Sequence, residues 1–355
     1  MTPQQPSQKT LEAHCRCTAV HFTITIPADH PLKIKLCHCT ICRYTHGTPC
    51  SFTAALPLSV EPQFVTPSRI NSLTAYTYPG ARYTRFFCST CGCQIGRQSA
   101  TDGRWFISSA IFKDSDSQDE GVWVYDEHVF TGSAADGGIS GLVASVGGRE
   151  LGVENPAPAS APARSPPNTP TRPHNRDSLQ AQCHCAGVSF TVSRPRPDFL
   201  TTPMSNGLTH PSDRTKWLAS LDLCTDCRLV NGTNVIGWMF VPLDHISPSP
   251  AGPDLLHGSS KTYHSSEGIT RSFCGTCGAT VFFAWDGRPG EVNVATGLLR
   301  ATEGVMAEAW ILWMAGRISW FEDGVVFHEQ FARSLRDGLR DWGRKRGQGE
   351  GWIAP

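Results

Sequence analysis

Hydrophobic and polar residues alternate with a period of two near the start of the chain. The apolar positions, which are separated by His and Thr, are Val20, Phe22, Ile24 and Ile26. Successive side chains of a strand point to opposite faces, so this pattern predicts a strand with one buried face. The same alternation returns at Val188, Phe190 and Val192. The two halves of the chain are therefore predicted to begin alike.

Short aromatic and β-branched runs elsewhere indicate more strands. They begin at Arg85, Arg104, Thr280 and Val292, with Gly, Pro and Asp punctuating the chain at short intervals. These signals predict a mainly β fold, mostly antiparallel, with small helices or turns. Residues 195–220 are interpreted as a surface loop inserted into the second half.

A segment rich in Pro, Ala and Ser, residues 154–176, shows no hydrophobic periodicity. It predicts an extended linker, with a docking segment for a proline-reading domain as the alternative. The predicted organisation is a first domain at 9–150, a linker at 151–178, a second domain at 179–335 and a basic tail at 336–355. Arginines near the C-terminus have roughly helical spacing, which indicates a short basic helix that frays into this tail. The alternative is a helix that binds an anionic surface or a partner.

Composition narrows the function classes. The 355 residues suffice for two ordinary domains, and 31 basic and 31 acidic side chains give zero net charge, which argues against a nucleic-acid partner. We find neither a signal-peptide pattern nor a membrane-spanning run, so no membrane association is expected. The expected location is the cytoplasm, with the nucleus as an alternative. Closely spaced thiols in a reducing compartment indicate metal ligands rather than disulfides.

The cysteines reveal an internal repeat. Seven of the fifteen fall in a first copy and six in a second with matching spacing. The first copy contains Cys15-x-Cys17, Cys37-His38-Cys39-x-x-Cys42-Arg43 and Phe87-Cys88-x-x-Cys91-Gly92. The second contains Cys183-x-Cys185, Asp222-x-Cys224-x-x-Cys227-Arg228 and Phe273-Cys274-x-x-Cys277-Gly278. Repetition of this kind predicts two copies of one metal-binding module.

The outer pairs of each copy predict a closed structural zinc site. Two cysteines separated by one residue on a strand face the same side, and a Cys-x-x-Cys turn aims two sulfurs at one point. We name these two sets the knuckle clusters. The first is Cys15, Cys17, Cys88 and Cys91, and the second is Cys183, Cys185, Cys274 and Cys277.

The middle motif of the first copy predicts a different site. Cys37, Cys39 and Cys42, named here the three-cysteine cluster, leave one position of a tetrahedral zinc ion for water or substrate, as in catalytic sites. Arg43 is the candidate for offsetting the charge or holding a substrate carboxylate. His38 lies between two ligands and, on strand geometry, points away from the metal, so a polar contact is expected of it, with a fourth ligand as the alternative.

The combined motif resembles the glutathione-dependent formaldehyde-activating enzyme family, which also includes centromere protein V. The resemblance covers about residues 9–150 and 179–330. It implies a β-tent fold with two zinc sites per module, one structural and one associated with activity. It also implies that glutathione and formaldehyde combine to S-(hydroxymethyl)glutathione, a carbon–sulfur lyase reaction with a small thiol as partner.

The second copy departs from the pattern because Asp222 stands where the first copy has Cys37. A carboxylate can bind zinc, so a mixed site of Asp222, Cys224 and Cys227 is one interpretation, and a degraded site is the other. We expect two zinc sites in the first module, and in the second a structural site with or without another. Cys50 and Cys93 lie outside the repeat and are interpreted as buried free thiols, with a substitute metal ligand next to Cys91 as the alternative for Cys93.

Two functions follow from these residues, and a third, a redox sensor that uses the thiols directly, would require reactive metal-free cysteines. The first is a zinc-dependent carbon–sulfur lyase with its chemistry in the first module and a mostly structural second module. The alternative is a non-catalytic zinc-binding adaptor or chromatin-associated module, which the neutral net charge disfavours. The oligomeric state, and whether the modules pack together or move freely on the linker, stay open at this stage.

Overall fold

The computed structural model describes residues 7–114, 122–154, 177–252 and 254–348. Strands dominate both halves, which confirms the mainly β fold predicted from the sequence. The predicted linker lies largely outside the described residues.

The first module consists mostly of short strands. They are β1 (Gln8–His14), β2 (His21–Pro27), β3 (Leu32–Cys37), β4 (Ser51–Ala55), β5 (Gln63–Phe64), β6 (Leu73–Tyr76), β7 (Tyr83–Cys88), β8 (Gln94–Ser99), β9 (Trp105–Ser108), β10 (Trp123–Val129), β11 (Ser145–Val146), β12 (Arg149–Glu150) and β13 (Gly152–Glu154). Within the described part, β1, β2 and β5 form a small sheet and eight strands form a large one, in the order β13-β10-β3-β4-β9-β8-β7-β6. Along β2 every second residue is buried, as the alternation predicts.

The second module repeats this plan. Its strands are β14 (Ser178–Gln182), β15 (Ser189–Ser193), β16 (Thr209–His210), β17 (Asp213–Asp222), β18 (Ile236–Pro242), β19 (Ile246–Ser247), β20 (Ser260–Ser266), β21 (Ile269–Cys274), β22 (Thr280–Trp285), β23 (Glu291–Ala295) and β24 (Ile311–Trp313). β14, β15 and β19 pair in one sheet, and the other follows β16-β17-β18-β23-β22-β21-β20 with β24 beside β17. Most pairs are antiparallel, but β3–β10, β10–β13 and β17–β24 are parallel.

The predicted loop insertion at 195–220 is wrong in its second half. Residues from Asp213 onward form β17, and Trp217 is fully buried there. The strand was not recognised in the sequence because it begins with polar residues. Asp213, Arg214 and Lys216 precede its apolar residues.

Helices are few in the described residues. The α-helices are α1 (Thr40–His46), α2 (Ser205–Leu208), α3 (Thr225–Asn231) and α4 (Phe321–Arg344). The 3₁₀ turns are Ile70–Ser72, Ser109–Ile111, Thr131–Ser133, Gly138–Gly141, Phe199–Thr201, Leu243–His245 and Thr296–Leu298. No described helix combines the length and apolar composition that a membrane span requires.

The two modules pack against each other through equivalent elements. α1 ends at Gly47 and α3 at Gly232, both with positive φ. A Cβ on Gly47 would lie 2.2 Å from the carbonyl oxygen of Thr280, and one on Gly232 would lie 2.1 Å from that of Gln94. Gln94 and Thr280 begin the matching strands β8 and β22. Each module therefore presses its helix end onto a strand of the other, with approximate two-fold symmetry.

Backbone hydrogen bonds across the interface repeat this symmetry. The N–H of Arg16 donates to the carbonyl of Leu229 (3.1 Å), and the N–H of His184 donates to that of Tyr44 (3.0 Å). Arg16 and His184 are the middle residues of the two Cys-x-Cys motifs. Each knuckle loop thus contacts the helix of the other module, and one hydrophobic core spans both modules. The modules pack together rather than move independently.

Helix α4 crosses from the second module to the first. Phe331, which is buried, stacks on Tyr125 (ring centroids 5.1 Å apart) and meets Phe52 edge-on (5.4 Å). At His328 the backbone is not helical, and the His328 Nδ1 accepts from the N–H of Phe331 (3.3 Å), which caps the second part of the helix. Residues 336–344, which the sequence assigned to a basic tail, are its last turns and bury Leu339.

Candidate metal centres and substrate cleft

The first knuckle cluster joins the start of module one to its middle. Cys15 and Cys17 follow β1, Cys88 ends β7, and Gly92 (φ +81°) turns the chain just after Cys91. The Sγ atom of Cys17 lies 3.4 Å from that of Cys15 and 3.5 Å from that of Cys88. The predicted ligands are therefore brought together.

The second knuckle cluster has the same geometry. The Sγ atom of Cys185 lies 3.5 Å from that of Cys183 and 3.4 Å from that of Cys274. Cys277 completes the set, and all four ligand atoms lie within 4.8 Å of one another, as in the first module.

These clusters fit a tetrahedral metal ion. A Zn–S bond of about 2.3 Å places the sulfurs of a tetrahedral site about 3.8 Å apart, close to the observed separations. Backbone N–H groups also point at the sulfurs, from Val20 to Cys15 (3.4 Å) and from Val188 to Cys183 (3.3 Å), as a thiolate requires. None of the fifteen cysteines, all within the described residues, forms a disulfide. Both clusters could hold a metal ion.

The three-cysteine cluster forms where β3 ends and α1 begins. Cys39 is the N-cap of α1, and its Sγ accepts from the N–H of Cys42 (3.3 Å). The Sγ atoms of Cys37 and Cys39 are 3.5 Å apart, and all three sulfurs lie within 4.8 Å of one another. This donor set fits a metal ion with one position left for another ligand.

Positive charge from two other strands faces this cluster. Hydrogen bonds from Cys37 and Cys39, followed by the charges of Arg85 and Arg97, hold the pKa of Cys42 well below its usual range. Arg85 is 5% exposed, and its Nε and Nη1 have no hydrogen-bond partner among the described residues. A buried guanidinium needs a nearby anion, so Arg85 favours the thiolate form of Cys42. The hydrogen bond with Cys39 raises the pKa of Cys37 well above its usual range.

Arg43 does not face the cluster in the same way. Its Nε donates to the carbonyl of His38 (3.0 Å) and its Nη2 to that of Ser133 (3.2 Å), and the side chain is buried. Arg43 therefore connects the loop after β10, which contains Ser133, to the segment of the three-cysteine cluster. A catalytic role for Arg43 stays a prediction.

His38 makes the polar contact expected of it. Its Nε2 lies 2.9 Å from the Nδ1 of His128, whose Nε2 lies 2.7 Å from the carbonyl oxygen of Val143. A consistent assignment has His128 donating to that carbonyl and accepting from His38. Burial lowers the pKa of His38 to about 3, so the ring stays neutral. The set of clustered ligand atoms does not include it.

The Asp222 cluster, which comprises Asp222, Cys224 and Cys227, brings its three donor atoms within 4.8 Å. The Oδ1 of Asp222 accepts from the N–H of Cys224 (2.7 Å), and Arg271 donates to the Sγ of Cys227 (3.4 Å). Burial raises the pKa of Asp222 well above its usual range. The geometry could hold a metal ion, but the carboxylate already has partners within the protein.

Arg85 and Arg271 were missed by the sequence interpretation. A signal for them exists, because the pattern Thr-Arg-x-Phe-Cys occurs at residues 84–88 and again at 270–274. Cys50 and Cys93, by contrast, lie where the sequence places them, buried and outside the clusters. Burial raises the pKa of both thiols well above the usual range.

A cleft of about 470 Å³ adjoins the three-cysteine cluster, with Cys37 on its wall. Residues of β3, β4, β7, β8, β9, β10 and β13 line it, and its Lys and Arg residues are Lys33, Lys35, Arg97 and Arg104. We call it the cationic cleft. It offers an anionic ligand a route to the cluster.

The family model of the glutathione-dependent formaldehyde-activating enzyme matches residues 10–133 and 209–315, more than half of the chain. The first segment contains the three-cysteine cluster and the first knuckle cluster, and the second contains the Asp222 cluster. None of the curated proteins compared with the chain matches it.

Proposed function

Because the chain belongs to the glutathione-dependent formaldehyde-activating enzyme family, we propose that its first module is a zinc-dependent carbon–sulfur lyase that adds a thiol such as glutathione to formaldehyde, reversibly. The observation that carries this proposal is the three-cysteine cluster with Cys37 on the wall of the cationic cleft. Three thiol ligands beside a solvent-reached cleft are what a metal site that also binds substrate requires.

The reaction needs a thiolate next to a carbonyl carbon. The sulfur forms the C–S bond, the π electrons of the carbonyl move to its oxygen, and the proton that left the thiol ends on that oxygen. Zinc held by Cys37, Cys39 and Cys42 would supply a Lewis acid that favours the thiolate form of a bound thiol. Arg85 and Arg97 add positive charge at this point, and the cleft holds the two reactants together.

The second module serves a structural role in this proposal. Lys35 and Ser220 each lie two residues before the corresponding positions Cys37 and Asp222. Thr53 pairs with Lys35 and Trp238 pairs with Ser220, so Trp238 corresponds to Thr53. Thr53 lines the cationic cleft, whereas Trp238 is 2% exposed and fills the equivalent place. Together with Asp222 at the position of Cys37, this removes both a thiol ligand and the approach to the site.

The test is the rate of exchange between free glutathione, formaldehyde and their adduct, measured by two-dimensional NMR with zinc-loaded protein. We expect faster exchange with the wild type and with Cys224→Ala, and none beyond the spontaneous rate with Cys39→Ala. Metal content is measured on each sample. No acceleration by zinc-replete wild type would exclude this substrate pair and leave the adaptor role. Loss in Cys224→Ala with activity retained in Cys39→Ala would assign the chemistry to the other module.

A further inference from the structure

The four cations of the cationic cleft are not equally available to a ligand. Lys33 lies 3.5 Å from Asp126, and Lys35 forms an ion pair with Glu127. Within the described part of the chain, neither Arg97 nor Arg104 forms a side-chain ion pair, although the backbone N–H of Arg104 donates to the Oδ1 of Asp102 (3.2 Å).

Arg97 is held in place by two aromatic rings. Its guanidinium lies 5.2 Å from the ring centroid of Tyr83 and 4.8 Å from that of Phe106, and its Nη1 donates to the Oγ1 of Thr53 (3.2 Å). A planar guanidinium fixed in this way is preorganised for a two-pronged contact with a carboxylate.

Arg104 directly precedes β9, the strand that pairs with β8, and lines the same cleft. Its buried Nε has no hydrogen-bond partner among the described residues. An unpartnered buried donor is costly unless a ligand or solvent completes it. The two arginines therefore present donors to one space, with Cys37 on the same cleft wall.

The second module shows whether the fold itself requires the two arginines. Strand pairing fixes which of its residues correspond to Arg97 and Arg104. Arg85 and Arg271 occupy the same position of the repeated Thr-Arg-x-Phe-Cys pattern. Arg97 pairs with Arg85 on one side and with Phe106 on the other, and Phe283 pairs in the same way with Arg271 and Asn293.

Phe283 thus takes the place of Arg97. Phe106 and Asn293 correspond through strand pairing, so the residues before them, Trp105 and Val292, also correspond. One residue earlier, Glu291 takes the place of Arg104. The fold itself therefore needs neither arginine, and both are absent from the module that has lost the three-cysteine cluster.

We propose that Arg97 and Arg104 form an anion anchor that binds a carboxylate of the thiol substrate and directs its sulfur to the three-cysteine cluster. This rests on the proposed function and narrows it to thiols that carry a carboxylate. Peptide thiols such as glutathione satisfy the requirement, and neutral thiols do not. Glu154, also on the cleft wall, matches the ammonium group of such a peptide.

The test uses two probes on full-length protein, the first with zinc bound and the second with cobalt bound. S-Methylglutathione keeps both carboxylates but has no free thiol, so its binding, measured by calorimetry, reports the anchor without the chemistry. Arg104→Gln and Arg97→Gln are each expected to weaken it about 10- to 100-fold, the range for one charge-assisted contact. Arg69→Gln, an exposed change outside the cleft, is the matched control.

The second probe is 2-mercaptoethanol, a neutral thiol, with binding followed on cobalt-substituted protein. Its affinity is expected to stay unchanged in Arg104→Gln, which a general disruption of the cleft would not allow. Arg97→Gln does not serve with this probe, because the charge of Arg97 also acts on Cys42. Unchanged binding of S-methylglutathione in Arg104→Gln and Arg97→Gln would overturn the anchor, whatever the enzyme assay shows. Weakened binding together with no glutathione–formaldehyde exchange in the wild type would uphold the anchor and reject the proposed reaction.

Discussion

Replacing Gly232 by Ala tests the packing of the two modules. Gly232 has φ +64°, and an added Cβ would lie 2.1 Å from the carbonyl oxygen of Gln94, where ordinary contact begins at about 3.4 Å. The backbones must then separate by roughly 1.3 Å or distort. Gly80 is a matched control because it has φ +78° with nothing within 4 Å of an added Cβ.

The two substitutions share the strain of a positive φ, about 1 kcal/mol. Only Gly232→Ala adds the overlap across the interface, and overpacking costs about 1–3 kcal/mol more. We therefore expect the free energy of unfolding to fall by about 1 kcal/mol in Gly80→Ala and about 2–4 kcal/mol in Gly232→Ala. Urea titration followed by tryptophan fluorescence, in zinc-containing buffer, measures both.

Wild type is expected to unfold in a single transition, because one core spans both modules. Equal losses in Gly80→Ala and Gly232→Ala would refute the interface described here. Two separate transitions, with only one of them shifted, would show that the modules fold independently.

Three further outcomes follow from the structure. Phe331→Ala removes a buried ring from between Tyr125 and Phe52 and should cost about 3–5 kcal/mol in urea unfolding. Burial lowers the pKa of His328 to about 4, so its contribution to stability is complete above pH 6.5 and is lost as the pH falls from about 6.5 to about 4. His328→Asn keeps a capping acceptor and should reduce that acid-induced loss by about 3 kcal/mol, measured by urea unfolding across this range. Cys185→Ser should release one zinc per chain in a chromogenic metal assay and lower the Tm, and unchanged zinc content would contradict the second knuckle cluster.

Local spacing made the knuckle clusters predictable from the sequence. A Cys-x-Cys pair and a Cys-x-x-Cys turn each fix the geometry of two thiols, and the repeat shows which pairs belong together. Arg97 was not predictable in this way, because it reaches the cleft from β8 through strand register. Register depends on long-range pairing, which single-sequence patterns do not reveal.

The sequence of the C-terminal helix contains a helical pattern of apolar residues, which the many arginines around it made hard to recognise. Phe331, Leu335 and Leu339 recur every four residues, which is the apolar face of an amphipathic helix. The arginines between them lie on the other face, where Arg333 pairs with Glu329. The packing of the two modules could not be predicted from the sequence, because Gly47 and Gly232 are indistinguishable in sequence from ordinary helix-ending glycines.

The proposed function requires one open metal site, at the three-cysteine cluster, that binds the thiol substrate. Cobalt substitution tests it most directly, because the visible absorption of cobalt(II) reports a new thiolate ligand. Adding glutathione is expected to change the spectrum of wild type and of Cys224→Ala but not that of Cys39→Ala. A spectrum that glutathione leaves unchanged in the fully loaded wild type, or that still changes in Cys39→Ala, would show that the three-cysteine cluster is not the thiol-binding site.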